Sequence, residues 1–280
     1  MRPVPSALRR SVFHWAVGAL AGLALAPAAF AQAPAYPSKP ITIVVGYPPG
    51  GSTDLMGRMV GTELSNRLGQ PVVIENIGGA GGAIGAQKVA SAQPDGYTLL
   101  VGASNELAIN KLVTKKVKYD IKDFTAIGLV ASQPLVLVAS PASGVKNAAD
   151  FIQLVSKNPG KYSYGSSGVG TSLHLAGEML KSQGKLFMTH IPYRGVAPLT
   201  NDLVGNNLEF GVFVLSSGLP HIKSGKVIAL GTTEAKRSPI TPDIPALAES
   251  PQFKNVDIGV WFALMAPANL PKPVHDKLRK

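Results

Sequence analysis

Cysteine does not occur in the 280 residues, so disulfides, thiolate metal sites, iron–sulfur clusters and cysteine nucleophiles are all excluded. Charged residues are also scarce, at 15%, and acidic ones are the scarcer kind, with 16 Asp and Glu against 27 Lys and Arg. This composition excludes a disordered chain and a coiled coil, which need more charge. With 45% hydrophobic residues and 30 glycines, the chain predicts a globular α/β protein with one or two cores.

The formal charge of +11 raises the question of a nucleic-acid partner. The basic residues are scattered, and the one cluster, Lys115, Lys116 and Lys118, has no aromatic residue interleaved with it. Nucleic-acid-binding surfaces concentrate basic residues on one face and often add stacking aromatics. We therefore predict no nucleic-acid partner, and the charge favours anionic small molecules or solubility.

The first 31 residues predict a secretory signal peptide. Three arginines and no acid precede an apolar run over 12–30, and the run ends in the small-residue pattern Ala29-Phe30-Ala31. A basic start, an apolar centre and an A-x-A exit are typical of a cleaved signal peptide. An uncleaved membrane anchor is the alternative, but Pro27 and the small-residue exit favour cleavage. We expect a protein located in the periplasm.

Beyond residue 40, short apolar runs alternate with segments of helical spacing. Strands are predicted at 41–47, 72–76, 97–102, 135–139, 162–165 and 187–192, and helices at 55–68, from the end of the glycine-rich stretch 78–85 to residue 90, at 147–157 and at 172–183. Strands separated by helices favour parallel sheets covered by helices on both faces. The alternation of strands and helices resumes after Val130 without a repeated sequence, which predicts two α/β domains.

Two loops, 48–54 and 165–172, each follow a predicted strand and lead into a predicted helix. Their glycines allow sharp turns, their Ser and Thr residues supply hydroxyls, and a helix start supplies unpaired N–H groups. Such donors at the carboxyl ends of strands suit a carboxylate or phosphate. An ordinary capped turn is the alternative for either loop alone. Because each predicted domain has one, we favour a site in the cleft between them.

Motifs of other functional classes are incomplete in this chain. Residues 165–171 have the glycine spacing of a phosphate-binding loop, but Thr171 stands where that loop needs Lys. Ser167 is followed two residues later by Val169, where a nucleophile elbow needs Gly. Ser167 or Ser172 with His174 nevertheless keeps a secreted serine hydrolase as an alternative. We expect no cofactor, no metal and no catalytic residue.

A series of motifs runs in order between residues 36 and 280: YPPGGSTD at 47–54, ENIGGAGG at 75–82, DGYTL at 95–99, YGSSGVGT at 164–171 and PYRG at 192–195. With Trp261-Phe262 near the end, this series resembles the Bug receptors, the periplasmic solute-binding proteins of tripartite tricarboxylate transporters. The resemblance implies capture of a small carboxylate for uptake by integral-membrane transporter subunits. A sensor that presents its ligand to a histidine kinase is the alternative among binding proteins.

The resemblance also implies a type II periplasmic-binding-protein fold, with two α/β domains around a ligand cleft and two crossing segments between them. Residues 36–133 would form the first part of domain 1, 134–235 domain 2, and 236–280 the return to domain 1. Related chains continue for a few dozen residues beyond the position of Lys280, so we expect a truncated end. We expect a monomer that closes on its ligand.

The two loops would grip one carboxylate through backbone N–H groups, hydroxyls and water, with further residues along the cleft. Phe213 aligns with a position that is often acidic in the family, which predicts a less polar ligand, either aromatic or short and aliphatic. The implied ligand-binding residues are Tyr47, Pro49, Gly50, Gly51, Ser52, Thr53, Asp54, Ser104, Ser166, Ser167, Gly168, Gly170, Thr171, Tyr193, Arg194 and Phe213.

Overall fold

The computed structural model describes residues 35–280, and the predicted signal peptide lies outside the described residues. The strands are β1 Ile41–Val45, β2 Val72–Asn76, β3 Thr98–Ala103, β4 Phe124–Ala139, β5 Ser163–Ser166, β6 Thr189–Pro192, β7 Phe210–Val214, β8 Ile228–Thr232 and β9 Gly259–Pro267. The α-helices are α1 Ser52–Leu68, α2 Ala83–Ala90, α3 Asn110–Val113, α4 Ala148–Lys157, α5 Ser172–Gly184, α6 Val196–Val204, α7 Leu215–Lys223 and α8 Lys272–Arg279. A π-helix, Asn105–Ile109, follows β3 directly.

The strands form two sheets that share β4. In the first lobe the order is β2-β1-β3-β9-β4, and in the second lobe β4-β7-β5-β6, with β8 also paired to β4. Strands β1, β2 and β3 are parallel to one another, as are β5, β6 and β7. The expected α/β fold is confirmed, although the pairs made by β4 and β9 are antiparallel. The predicted parallel pairing holds within each lobe, and the antiparallel pairs were not predicted from the sequence.

The antiparallel pairs arise because β4 and β9 connect the lobes. Most of β4 lies beside β9, from Phe124 opposite Pro267 to Pro134 opposite Gly259. Its last five residues, 135–139, pair instead with β7 and β8 of the second lobe. A strand that leaves one lobe and a strand that returns to it run in opposite directions. The sequence prediction had recognised only the fully buried last part of β4.

Helices cover both faces of the first sheet, as predicted. Ile41, Ile43 and Val45 of β1 pack on one face with Met56 of α1. Val44, between them, packs on the other face with α2. This alternation follows from the two-residue period of a strand. All four β1 residues named are fully buried, as a strand covered on both faces requires.

Helix α1 packs unusually close to the sheet because glycines line its inner side. A Cβ added to Gly57 would lie 2.7 Å from Cγ2 of Val45, and one added to Gly61 would lie 3.0 Å from Cδ1 of Ile74. The apolar Leu55 is instead 43% exposed. The helix ends at Leu68 before Gly69, whose φ of 68° is typical of a glycine C-cap. The predicted stop of this helix is confirmed.

The segment between β8 and β9 packs on the second lobe. Phe253 is fully buried, with its ring 6.5 Å from that of Phe151 in α4. Thr233 joins the two crossings, since its backbone N–H donates to Leu135 O at 2.9 Å and its Oγ1 donates to Ile258 O. The division at 36–133, 134–235 and 236–280 stays a prediction. Within residues 35–280 no helix is long and apolar enough to cross a membrane.

Candidate functional site

Four helices begin at one small cavity between the lobes. We call it the inner cavity; it measures about 20 Å³, room for about one water molecule. It is lined by Tyr47, Gly51, Ser52, Thr53, Ala103, Asn105, Ser167, Leu173, Val196, Val214, Val260 and Phe262. Gly51, Val196 and Val214 belong to the first turns or caps of α1, α6 and α7, and Leu173 to the first turn of α5. A larger ligand requires the lobes to stand further apart than they do here.

The first predicted loop is held in shape by Asp54. One of its carboxylate oxygens accepts hydrogen bonds from Gly50 N and Arg58 Nε, both at 3.0 Å, and the other accepts from Asn76 Nδ2 at 2.9 Å. Burial alone would raise the pKa of Asp54, but these three bonds hold the pKa below its usual value. The carboxylate is therefore ionised, and both of its oxygens accept hydrogen bonds from neighbouring groups of the protein. It shapes the loop and does not line the cavity.

The start of α1 offers the inner cavity unpaired donors. The N-cap residue Gly51 makes no side-chain cap, and the first amides of a helix have no partner within it. The hydroxyl Oγ of Ser52 is buried without a hydrogen-bond partner, while Ser52 itself lines the cavity. A buried hydroxyl without a partner is costly. These groups therefore favour a hydrogen-bond acceptor in the cavity.

The second predicted loop is held by its own hydroxyls. Gly168 N donates to Ser166 Oγ at 3.2 Å, and Thr171 Oγ1 donates to Gly168 O at 2.8 Å. Thr171 Oγ1 also caps α5 by accepting from His174 N at 3.3 Å. Gly168 and Gly170 have φ values of 138° and 78°, a region that favours glycine. Ser167 is the residue of this loop that faces the inner cavity.

Two stacked histidines support the second loop from behind. The rings of His174 and His190 lie 4.1 Å apart. His174 Nδ1 accepts the amide of Gly170 at 3.1 Å, and His190 Nε2 lies 2.7 Å from Ser166 Oγ. Burial and the neighbouring His174 lower the pKa of His190 to about 4, so its bond with Ser166 Oγ forms with a neutral ring at neutral pH.

Direct hydrogen bonds join the lobes beside the inner cavity. Asn105 Oδ1 accepts from both the backbone N of Ser172, at 2.7 Å, and its Oγ, at 2.8 Å. Ser104 Oγ lies 3.1 Å from Ser172 Oγ. Asn105 begins the π-helix of the first lobe, whereas Ser172 begins α5 of the second. These bonds hold the lobes in a closed arrangement.

The closing contact continues into a buried acid. Asn105 Nδ2 donates to Tyr47 Oη at 2.8 Å, and Tyr47 Oη lies 3.2 Å from Glu106 Oε2 and 2.9 Å from Gly81 O. Glu106 Oε1 accepts from Ala103 N at 2.8 Å. Burial raises the pKa of Glu106 to about 7, and burial followed by this acid raises that of Tyr47 well above its usual value. The phenol is therefore a donor throughout the neutral range.

A second cavity opens where the glycine-rich residues 79–82 face the second loop. This outer cavity measures about 270 Å³ and is lined by Tyr47, Gly79, Ala80, Gly81, Gly82, Ser167, Gly168, Val169, Pro192, Tyr193 and Arg194. Tyr193 Oη donates to Asp202 Oδ2 at 2.6 Å. Arg194 is exposed. Tyr47 and Ser167 line both cavities, so the two cavities adjoin.

The structure brings half of the predicted site residues to a cavity wall. Tyr47, Gly51, Ser52, Thr53, Ser167, Gly168, Tyr193 and Arg194 line one cavity or both. The others, which line neither, are Pro49, Gly50, Asp54, Ser104, Ser166, Gly170, Thr171 and Phe213.

Phe213 is fully buried and packs in the core. Side chains alternate along a strand, so the neighbouring Val214 lines the inner cavity in its place. Phe213 lines neither cavity in this structure, and its contact with a ligand stays a prediction.

Sequence reasoning missed the apolar part of the inner cavity and Asn105. Val260 and Phe262 come from β9, the returning strand, and Val214 ends β7. The Trp261-Phe262 motif was the one available signal, and it carried no assigned role. These residues are distant in sequence and meet because β4 pairs with both β7 and β9.

The described residues contain no cluster of three or more His, Asp or Glu that could hold a metal ion. Ser172 is engaged by Asn105, and His174 Nδ1 is engaged by Gly170. The serine that does contact a histidine is Ser166, which is fully buried, lines neither cavity and belongs to the loop support. The geometry of a catalytic serine at the cavity is therefore not formed by these residues.

Comparisons with known proteins agree on one family of receptors. Residues 56–280 match the family described as tripartite tricarboxylate transporter family receptor. Protein BugT of Bordetella pertussis (strain Tohama I) is 35% identical over 256 residues, which cover 89% of this chain and 78% of that protein.

Solved structures agree with the sequence relatives. The periplasmic binding protein BugD is similar with a TM-score of 0.82 at 38% identity, covering 87% of this chain and 81% of that chain. An R. palustris protein solved with adipate is similar with a TM-score of 0.84 at 32% identity, covering 87% and 81% of the two chains.

Proposed function

We infer that this chain, which belongs to the tripartite tricarboxylate transporter receptor family, captures a small carboxylate in the cleft between its lobes. The resemblance to Bug receptors found in the motifs is confirmed by these comparisons. Relatives of this fold include a periplasmic binding protein and a protein solved with adipate. They support a periplasmic location for this chain, beyond the predicted signal peptide.

One observation carries the proposal: an anion-binding geometry without a cation. Ser52 Oγ has no partner although it is buried at the inner cavity, and helices α1 and α6 begin there without side-chain caps. Helix starts attract anions through free amides and the positive end of the helix dipole. A carboxylate would accept hydrogen bonds from these amides and from Ser52.

Closure is the second part of the proposal. Asn105 of the first lobe binds the start of α5 in the second, and Ser167 faces the cavity from the second lobe. A ligand held first by the α1 loop would thus meet the second loop as the lobes close. We propose that the closed receptor delivers the carboxylate to the integral-membrane subunits of a tripartite transporter, and that it acts without chemistry.

The test is binding to the full chain by thermal shift and calorimetry, with mono-, di- and tricarboxylates of small size as probes. We expect one carboxylate per chain and no turnover of an activated ester. A ligand at 100 times its Kd adds about 2.7 kcal/mol to the unfolding free energy, or roughly 5–10 °C in Tm.

Ser52→Ala tests the hydroxyl at the inner cavity. Ser65→Ala is its matched control, because Ser65 belongs to the same helix and does not line the inner cavity. We expect Ser52→Ala to weaken binding roughly fivefold or more, as the loss of a hydrogen bond to a charged group does. A cooperatively melting protein that binds none of the acids contradicts the proposal.

A further inference from the structure

Glu106 is a buried acid that the proposed function does not use. Its side chain is 1% exposed. Its Oε1 accepts the amide of Ala103 at 2.8 Å, while its Oε2 lies 3.2 Å from Tyr47 Oη. A Cβ added to Gly82 would lie 2.8 Å from Oε2, so the backbone closes off that side of the carboxyl. Among residues 35–280, Glu106 forms no ion pair with Lys, Arg or His.

The titratable groups around Glu106 are two phenols and several groups that have other partners. Tyr47 faces the carboxyl, and Tyr119 Oη donates to the backbone O of Glu106 at 2.7 Å. Strand β3 and residues 80–82 carry no titratable side chain. Burial raises the pKa of Glu106 to about 7, so a proton neutralises this acid in part at neutral pH. The charged or titratable groups on the other neighbouring elements are Lys88 of α2, bonded to Glu75, Lys111 of α3, beside Asp120, Asp54 of α1, bonded to Arg58, and His174 of α5, bonded to Gly170.

A chain of hydrogen bonds connects Glu106 to the inner cavity and to the second lobe. Tyr47 Oη, beside the carboxyl, accepts from Asn105 Nδ2 at 2.8 Å, and Asn105 Oδ1 accepts from Ser172 N at 2.7 Å. Tyr47 and Asn105 both line the inner cavity. One side chain, Tyr47, therefore separates the acid from the ligand site.

The protonation state of Glu106 decides what Tyr47 can offer a ligand. A phenol has a single proton to donate. A protonated Glu106 can donate to Tyr47 Oη, which leaves the phenol proton for Gly81 O, 2.9 Å away, or for an acceptor in the cavity. Gly81 O keeps a second donor, Asn110 Nδ2 at 2.9 Å, if the phenol turns to a ligand. An ionised Glu106 takes the phenol proton for itself.

The charge of a bound carboxylate acts in the same direction. An ionised Glu106 and the carboxylate would be two negative charges on either side of Tyr47, in a buried region where the low dielectric screens them little. A nearby like charge raises the pKa of an acid. Each unit of that rise corresponds to about tenfold in ligand affinity.

We propose that Glu106 is a proton-binding site coupled to the ligand site, so that the receptor captures its carboxylate together with a proton. Glu106 is a positioning residue, because it acts through Tyr47 and lines neither cavity. The inference rests on the proposed function, since it needs an anionic ligand. The coupling is reciprocal: binding of the acid takes up a proton, and a rise in pH weakens binding of the acid.

The experiment measures binding to the full chain by calorimetry between pH 6.5 and 8.5, with butanoate, benzoate and glutarate as probes. These acids are ionised across that range. If binding raises the pKa of Glu106 by about one unit, the Kd at pH 8.5 should be roughly fivefold or more above that at pH 6.5. At pH 7.5, titrations in buffers of different ionisation enthalpy should show uptake of about half a proton per bound acid.

Glu106→Gln keeps a donor for Tyr47 Oη and an acceptor for the amide of Ala103, so it imitates the protonated acid. Its Kd should change less than about twofold over the same pH range, with no proton uptake. Glu63→Gln is the control, because Glu63 is exposed on α1 and lines neither cavity, and this variant should keep the wild-type pH dependence. Proton uptake by the wild type needs no variant, so the coupling is tested even if Glu106→Gln does not fold.

The outcomes separate this inference from the proposed function. A wild-type Kd that stays within about twofold across the range, with no proton uptake, overturns the coupling and leaves carboxylate capture standing. A pH dependence that persists unaltered in Glu106→Gln overturns the role of Glu106. If none of the acids binds a cooperatively melting chain, the proposed function fails and the coupling fails with it.

Discussion

Replacing Glu106 with glutamine should stabilise the protein at pH 8, although it alters a buried residue in a hydrogen-bond network. Glu106 is 1% exposed. Its Oε2 lies 3.2 Å from Tyr47 Oη, which also receives Asn105 Nδ2 and can donate to Gly81 O at 2.9 Å. A protonated Glu106 satisfies every one of these groups. A glutamine whose amide donates to Tyr47 and whose oxygen accepts from the Ala103 amide reproduces that arrangement.

The size of the effect follows from the pKa. Burial raises the pKa of Glu106 from 4.5 to about 7, so the folded state binds its proton more tightly than the unfolded state. This stabilisation is complete below pH 4.5 and is lost as the pH rises through 7. At 1.36 kcal/mol per pKa unit the loss is about 3 kcal/mol. For a chain of this size that equals roughly 6–12 °C in Tm.

The assay is urea unfolding of the wild type and Glu106→Gln at pH 4.5 and pH 8. The two proteins should have similar unfolding free energies at pH 4.5, and the variant should be about 3 kcal/mol more stable at pH 8. Glu63→Gln, on the exposed side of α1, controls for the general effect of removing a carboxylate. Equal pH dependence of the wild type and Glu106→Gln, within about 1 kcal/mol, would refute a neutral buried acid.

Three further substitutions test the site and the packing. Asn105→Ala removes the acceptor for the start of α5, so ligand dissociation should accelerate roughly tenfold in stopped-flow measurements. Asp54→Ala leaves buried donors without a partner and should lower the unfolding free energy by about 3 kcal/mol in urea at pH 7. Because the pKa of Asp54 is lowered, the wild type should lose this extra stability as the pH falls below 4. A wild-type unfolding free energy that does not change on acidification would contradict this prediction. Gly177→Ala places a Cβ 2.0 Å from Tyr164 Cε2 and should lower stability by about 2–3 kcal/mol. Gly128→Ala, whose Cβ meets nothing within 4 Å, is the control, and equal Tm values would disprove the predicted clash.

Much of the local structure could be read from the sequence because short-range rules decide it. The β-branched run in β1 and the stop of α1 at Gly69 are where the pattern predicted them. The two glycine-rich loops also follow strands and lead into helices as expected. Their recognition needs only glycine conformation, Ser and Thr capping and the motif order of a family.

The shape of the ligand site depends on contacts between distant parts of the chain. Phe213 and Val214 are equally plausible wall residues by sequence, and the register of β7 against β4 decides that Val214 faces the cavity. Asn105 gave no signal, because its partner Ser172 lies 67 residues away. Local propensity cannot encode such pairings, since they depend on how β4 and β9 join the lobes.

Composition and motif order were thus enough to specify the fold class, the family and the position of the two loops between strand and helix. Folding of the whole chain was needed to set the antiparallel crossings, the neutral acid at Glu106 and the apolar part of the inner cavity. The physical reason is that strand register, burial and hydrogen-bond partners are properties of pairs of segments. A single segment of sequence contains only one member of each such pair, so it does not determine the pairing.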